Sequence, residues 1–223
     1  MHSKTTLRKA VIAISIMLGV ATTRADFDES GFESLREGDL FGQAEWHPQG
    51  SDGSGRYSDA ENRAEVRVDS SQGKMLVWLA GFPATQQTRL VKSFRPVAGD
   101  NVLVKFDFMP GNATVGGRLI FDSGNGRDVV SVRFVKGSLQ VSSGKDAEAV
   151  DTGLKFEKDD WNKVELQCCL KTHQMTVSLN GKKSDPIALP ETLTQFQRVI
   201  LFGGGIDFES LMDNLSIKSV TSF

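Results

Sequence analysis

Apolar residues recur at every second position along most of this chain, and that period limits the fold more than any other feature. In Asn101–Met109, Val102, Val104, Phe106 and Phe108 share one parity, while Lys105 and Asp107 take the other. In Asn162–Leu170 the apolar set is Val164, Leu166, Cys168 and Leu170, and Met175, Val177 and Leu179 repeat the pattern. Successive side chains of a strand point to opposite faces, so such alternation marks strands with one buried face. Asp128–Val135 (DVVSVRFV) is more continuously apolar and reads as a strand covered on both sides. Gly124-Asn125-Gly126, Lys136-Gly137 and Asn180-Gly181 separate these runs at short intervals, the last closing the strand pair Gln174–Leu179 and Lys182–Leu189, and suit tight hairpins. About a dozen strands follow from this reading. Helix is confined to one turn at Pro190–Phe196, with proline at its start. Many short strands, hairpin turns and almost no helix predict an all-β, two-sheet antiparallel sandwich of the jelly-roll kind.

The first 25 residues read as a leader. Lys4, Arg8 and Lys9 precede the apolar run Ala10–Ala21, and Thr23-Arg24-Ala25 ends it. This is the layout of a secretory signal peptide with cleavage after Ala25. At 12 residues the run is short for the roughly 20 that a bilayer crossing needs. Residues 26–223 then form a single domain, exported to the periplasm, the cell surface or the medium, with no membrane span after cleavage. Lys4, Arg8, Lys9 and Arg24 leave with the leader, which turns a net charge of −2 into −6. That balance argues against a nucleic-acid partner, since phosphate contact needs a basic face. Two cysteines are too few for a disulfide scaffold. Ser51–Gly55 (SDGSG) reads as a surface loop, and the oligomeric state is left open.

Three segments resemble a known superfamily. Asp26–Trp46 contains Gly38-Asp39-Leu40 followed by Gly42-Gln43 and Trp46, an opening found in exported bacterial proteins. Trp161–Leu166 followed by Val177–Gly181 resembles the strand pair of laminin G-like and concanavalin A-like jelly rolls, and Leu211–Ile217 resembles their closing strand. The resemblance implies a concanavalin A-like sandwich whose relatives bind or cleave glycans. A fold of this kind does not by itself fix an activity.

Candidate chemistry is sparse. Arg63, Glu65 and Arg67 share one strand face, and two guanidiniums beside a carboxylate could grip an anionic sugar. The string is similar to the Arg-x-Glu-x-Arg strand of alginate-lyase-type jelly rolls. The Gln-x-His and Tyr/Lys strands that accompany it there have no counterpart here. The alternative reading is a solvated face with cross-strand ion pairs. No Glu-x-Asp-x-x-Glu string of the related glucanases occurs, and no nucleophile–base pair is evident. The superfamily resemblance also implies a structural calcium between the opening and closing strands, for which Asp28 and Asp213 are the candidates. Asp213 has the parity of Leu211, Leu215 and Ile217, so it is expected on the core side, where a carboxylate needs a cation or several donors. Cys168 reads as a core residue and Cys169 as its outward neighbour. Trp78 takes the parity of Leu76 and Ala80 and is expected in the core, whereas Trp161 falls on the polar parity of Glu165. These observations select non-catalytic binding of a polysaccharide or glycoconjugate, through a face carrying Arg63, Glu65, Arg67, Arg133, Trp161 and Glu165. A polysaccharide lyase or glycosidase, and a purely structural sandwich, are the alternatives.

Overall fold

The computed structural model describes residues 26–29, 32, 34–40, 43–48, 63–69, 74–81, 88–111, 115–203 and 208–223. The predicted leader and the Ser51–Gly55 loop lie outside the described residues. Among those described there is no helix, and the strands form two antiparallel sheets. The ten-stranded sheet runs in the order β14 (Lys182–Lys183), β13 (Gln174–Leu179), β12 (Asn162–Cys169), β7 (Asn101–Pro110), β17 (Phe208–Val220), β5 (Lys74–Gly81), β4 (Arg63–Asp69) and β2 (Gly38–Asp39). Two short strands join it from the side: β1 (Phe27–Glu29) pairs with β17, and β15 (Ile187–Ala188) pairs with β13. The seven-stranded sheet runs β11 (Val150–Lys155), β10 (Ser138–Ser143), β9 (Val129–Val135), β8 (Val115–Asp122), β16 (Gln195–Gly203), β6 (Thr88–Ala98) and β3 (His47–Pro48).

The alternation read from sequence is the packing interface. Val102, Val104, Phe106 and Phe108 of β7 and Val164, Leu166 and Cys168 of β12 are buried. They meet Leu119, Phe121, Val130, Val132 and Phe134 from the other sheet in one core. Phe108 stacks on Phe134 with ring centroids 4.1 Å apart, and Phe106 lies 6.1 Å from Phe121. These ring pairs couple the sheets by a geometry that contributes beyond buried area. The opening segment belongs to the same core through Leu40 and Trp46. Gln43 closes that segment, accepting from Arg36 N at 2.7 Å and donating to Arg36 O at 2.9 Å. Burial lowers the pKa of Lys92, whose Nζ sits 5.5 Å from the Phe27 ring and 5.7 Å from that of Trp46.

The hairpin signals act as expected at Lys136-Gly137 and Asn180-Gly181, where both central residues have positive φ (48° and 77°, 50° and 83°). Three local expectations are corrected. Pro190–Phe196 is not helical: a turn closed by Leu193 N to Pro190 O at 3.0 Å leads straight into β16. Lys182–Leu189 is not one strand, because Pro186 has no N–H to donate and the run splits into β14 and β15. Asp213 is not on the core side. A bulge at Asn214 (φ 54°) shifts the register between Asp213 and Ser216. Asp213 therefore pairs with Asp107 on the outer face, while Leu215 and Ile217 point inward.

Candidate functional site

The outer face of the seven-stranded sheet carries the densest set of unusual polar residues. Register places Gln140, Arg133, Arg118, Phe202 and Arg89 in one row across β10, β9, β8, β16 and β6. Gln140, Arg133 and Arg118 alternate with the buried Leu139, Phe134 and Leu119, so they face away from the core, while the side chains of Phe202 and Arg89 lie outside the described residues. Three of these five residues are arginines, and the row continues on β11 at Asp151, opposite Gln140. Arg118 and Arg133 stand directly opposite one another on adjacent strands. Residues so placed have Cβ atoms about 4.5–5.5 Å apart, and like charges there repel. The Arg118 guanidinium is oriented by its Nε donating to Ser131 Oγ at 2.5 Å. The Nε of Arg133 is buried without a hydrogen-bond partner. An unmet guanidinium N–H is costly unless an acceptor meets it.

The neighbouring row carries two serines and three aliphatic residues, Ser142, Ser131, Ile120, Ile200 and Val91, and ends at His47 on the edge strand. Beyond it lies an ion pair that is already satisfied. Asp122, 1% exposed, receives Arg198 Nε at 3.0 Å and Nη2 at 2.7 Å, and Gly124 N at 2.6 Å. A carboxylate held by a fork and a backbone donor is poorly suited to act as a base. Asp128, at the foot of the Gly124–Arg127 turn, accepts from Thr192 Oγ1 and from Asn125 Nδ2 at 2.7 Å. Those two bonds hold its carboxyl below the usual range.

The predicted site residues do not form one face. Glu165 belongs to β12, on the outer side of the ten-stranded sheet, and Trp161 directly precedes that strand. Arg63, Glu65 and Arg67 belong to β4 in the same sheet, four strand positions from β12, or about 19 Å at the usual inter-strand spacing. The side chains of β4 lie outside the described residues. Arg133 is on the other sheet, so the single predicted face carrying all six residues is overturned. Parity within a strand does not say which sheet the strand joins. Glu165 is bound to Lys105 at 2.6 Å, and Gln167 accepts from Lys183 at 3.2 Å, which makes this outer face one of cross-strand pairs. Trp161 is half-buried where β12 begins, beside Asn162, whose side chain bonds Glu157 and Asp160.

The side chain of Trp78 lies outside the described residues, and register pairs its position with Glu65 and Leu211. The two calcium candidates are separated as well. Asp28 pairs with Ser216 and gives its carboxylate to Lys218 at 2.6 Å, on the side away from Asp213. Asp213 lies against Asn214 N at 2.7 Å and opposite Asp107, which Asn214 Nδ2 meets at 2.7 Å. Asp28 thus has Lys218 as an ion-pair partner, and Asp213 lies beside Asn214 and Asp107. Among the described residues no three His, Cys, Asp or Glu side chains are grouped to hold a metal. Cys168 is buried and burial raises its thiol pKa, while Cys169, on the outer face, is lowered by its bonds to Thr172.

The fold recurs among solved structures. A sialidase matches 89% of this chain with a TM-score of 0.67 at 13% identity, and the chain spans 19% of that protein. Cellulose induced protein, Cip1, matches 86% of the chain and 96% of its own length with a TM-score of 0.63 at 12% identity. The carbohydrate binding module CBM66 from Bacillus subtilis matches 78% of the chain and 96% of its own length with a TM-score of 0.52 at 8% identity. At these identities the likeness is one of fold. No family model matches the chain, and no curated protein matches it in sequence.

Proposed function

We propose that this chain is an exported, non-catalytic glycan-binding module of concanavalin A-like type. Its binding face is the outer side of the seven-stranded sheet. The observation that carries the reading is the row Gln140–Arg133–Arg118 on three adjacent strands. The neighbouring forks of Arg118 and Arg133, with Gln140 beside them, offer donors to hydroxyls at strand spacing, which suits a saccharide laid across the strands. The neighbours named a carbohydrate binding module and a sialidase support a sugar ligand for this fold. The non-catalytic part rests on Asp151, opposite Gln140 in the row, being held by Ser138 Oγ and Gly153 N, and on Asp122 being committed to Arg198.

Binding of the purified chain to immobilised polysaccharides, with reducing and unsaturated ends assayed in parallel, tests this. Retention of at least one polysaccharide without release of new ends is the expected outcome. Release of ends that scales with protein would replace the reading with a hydrolase or lyase. Retention of none would favour a structural domain.

A further inference from the structure

We infer that the glycan bound by this face is a neutral one, whose hydroxyls donate to Asp151 and accept from Arg133 across β11, β10 and β9. The inference rests on the proposal that this face binds glycans, and it adds the charge class of the ligand and the edge of the sheet where a subsite lies. Asp151 stands opposite Gln140, and Gln140 stands opposite Arg133. An acceptor, an amide with both donor and acceptor atoms, and a donor therefore follow one another at strand spacing, over about 10 Å from end to end. A sugar hydroxyl both gives and takes a hydrogen bond, so a run of hydroxyls matches all three groups. A carboxylate or sulfate only accepts, and it would meet the Asp151 carboxylate as a like charge. The net charge of −6 over residues 26–223 adds to that repulsion.

The backbone of β11 aims the Asp151 carboxylate. One residue separates Ser138 from Gln140 on β10, whereas three separate their partners Lys155 and Asp151 on β11. The extra residues form a bulge, in which Gly153 takes φ 72° and turns its N–H onto Asp151 Oδ1 at 2.9 Å. Thr152 Oγ1 fills the gap in the ladder by donating to Leu139 O at 2.6 Å. The buried Ser138 hydroxyl donates to the same Oδ1 at 2.5 Å. With Oδ1 held twice, Oδ2 is left with Lys155 Nζ at 4.0 Å. Both side chains of that pair are more than half exposed, and such a contact holds little. The bonds from Ser138 and then Gly153 keep the carboxyl below its usual range, so at neutral pH it only accepts. At the other end of the run the Arg133 Nε is buried without a partner, a donor whose lost water a hydroxyl oxygen would replace. Arg118, next in the row, is already engaged by Ser131 and by a further contact, so the run ends at Arg133.

The test presents the purified chain with dextran, galactomannan and laminarin as neutral probes, and with carboxymethyl dextran, dextran sulfate and polygalacturonate as acidic ones. The expected result is binding of at least one neutral polymer. Its affinity should change less than about twofold between about 0.05 and 0.5 M sodium chloride, since the ligand carries no charge to screen. Asp151→Asn keeps an oxygen for Ser138 and Gly153 and sets an amide nitrogen in place of Oδ2. It should keep the thermal transition and weaken binding about ten- to a hundredfold, the range for losing a bond to a charged group. Arg133→Lys keeps the charge, removes Nε, should weaken binding likewise, and carries the test if Asp151→Asn unfolds. Lys105→Gln, on the other sheet's outer face, should leave binding unchanged. Unaltered binding by a folded Asp151→Asn overturns the inference, the bulge then serving only to guard the sheet edge. Binding of acidic polymers alone, or of carboxymethyl dextran or dextran sulfate more tightly than dextran, also overturns it and leaves the glycan-binding proposal standing. No binding to any of the six, together with none on the wider polysaccharide panel, overturns both.

Discussion

Phe108 and Phe134 give a direct measure of how the two sheets hold together. Both rings are fully buried, they come from opposite sheets, and they stack at 4.1 Å with 19° between planes. Phe134 also meets the edge of Phe156 at 5.3 Å, so it makes two ring contacts where Phe108 makes one of these. Replacing either by leucine keeps most of the volume and removes the ring geometry. A large-to-smaller core change of this kind costs about 1–2 kcal/mol, well below the about 3–5 kcal/mol of a full truncation to alanine. Each aromatic pair adds about 0.5–1.5 kcal/mol beyond area. Phe134→Leu should therefore exceed Phe108→Leu by about 1 kcal/mol, the worth of the Phe156 contact. The double variant should fall short of the sum of the singles by a similar amount, since the shared stack is lost only once. Urea unfolding followed by tryptophan fluorescence, with unchanged slopes across the set, measures all four stabilities. Strict additivity of the two substitutions would show that the rings do not touch and would refute the packing of the two sheets at this point.

Asn162 is buried, accepts from Glu157 N and Asn180 Nδ2 at 3.0 and 3.1 Å, and donates to Glu157 and Asp160 carbonyls at 2.7 and 2.8 Å. Asn162→Ala should cost about 2–4 kcal/mol in urea unfolding, because several buried backbone groups lose their partners; a loss under about 0.5 kcal/mol would contradict the network. The carboxyl of Asp128 is held below its usual value by Thr192 first and Asn125 next. A depressed folded pKa contributes stability that is present at neutral pH and is lost as pH falls from about 4 through the folded value. Asp128→Asn should therefore flatten the acid limb of a stability profile between pH 7 and pH 3, and parallel profiles would refute the role of those bonds. Of the two thiols, only Cys169 should react with a maleimide in the native protein, since Cys168 is buried and its thiol pKa is raised; both should react in urea. Mass spectrometry that finds two adducts on the folded chain would contradict this.

The strands whose buried and exposed residues alternate cleanly were legible from the residues. The runs beginning at Asn101, Asn162 and Gln174 match β7, β12 and β13, and Arg63–Asp69 coincides with β4. What alternation leaves open is which sheet a strand joins, and this separated Arg133 from Glu165. Bulges defeat parity in another way. One extra residue at Asn214 turned Asp213 outward while Leu215 and Ile217 stayed in the core. Arg118 was missed because β8 opens on Gly116-Gly117 and shows little alternation. A usable signal was present. Counting outward from the Gly124-Asn125-Gly126 turn brings Arg118 opposite Arg133 at equal distances from the Asp122↔Val129 pair. Register counted from a hairpin turn thus brings together residues far apart in sequence, which a reading of single strands does not.

The most direct test of where the ligand sits is an NMR titration of the isotope-labelled chain with a soluble oligosaccharide cut from a polysaccharide that it retains, following backbone amides and arginine Nε–H signals. Shifts should gather on β8, β9 and β10, and the Arg133 Nε–H, buried and unbonded in the free protein, should move furthest as it gains an acceptor. Shifts confined to Trp161, Glu165 and their neighbours on the ten-stranded sheet, with the Arg118 and Arg133 signals still, would contradict the assignment of the binding face.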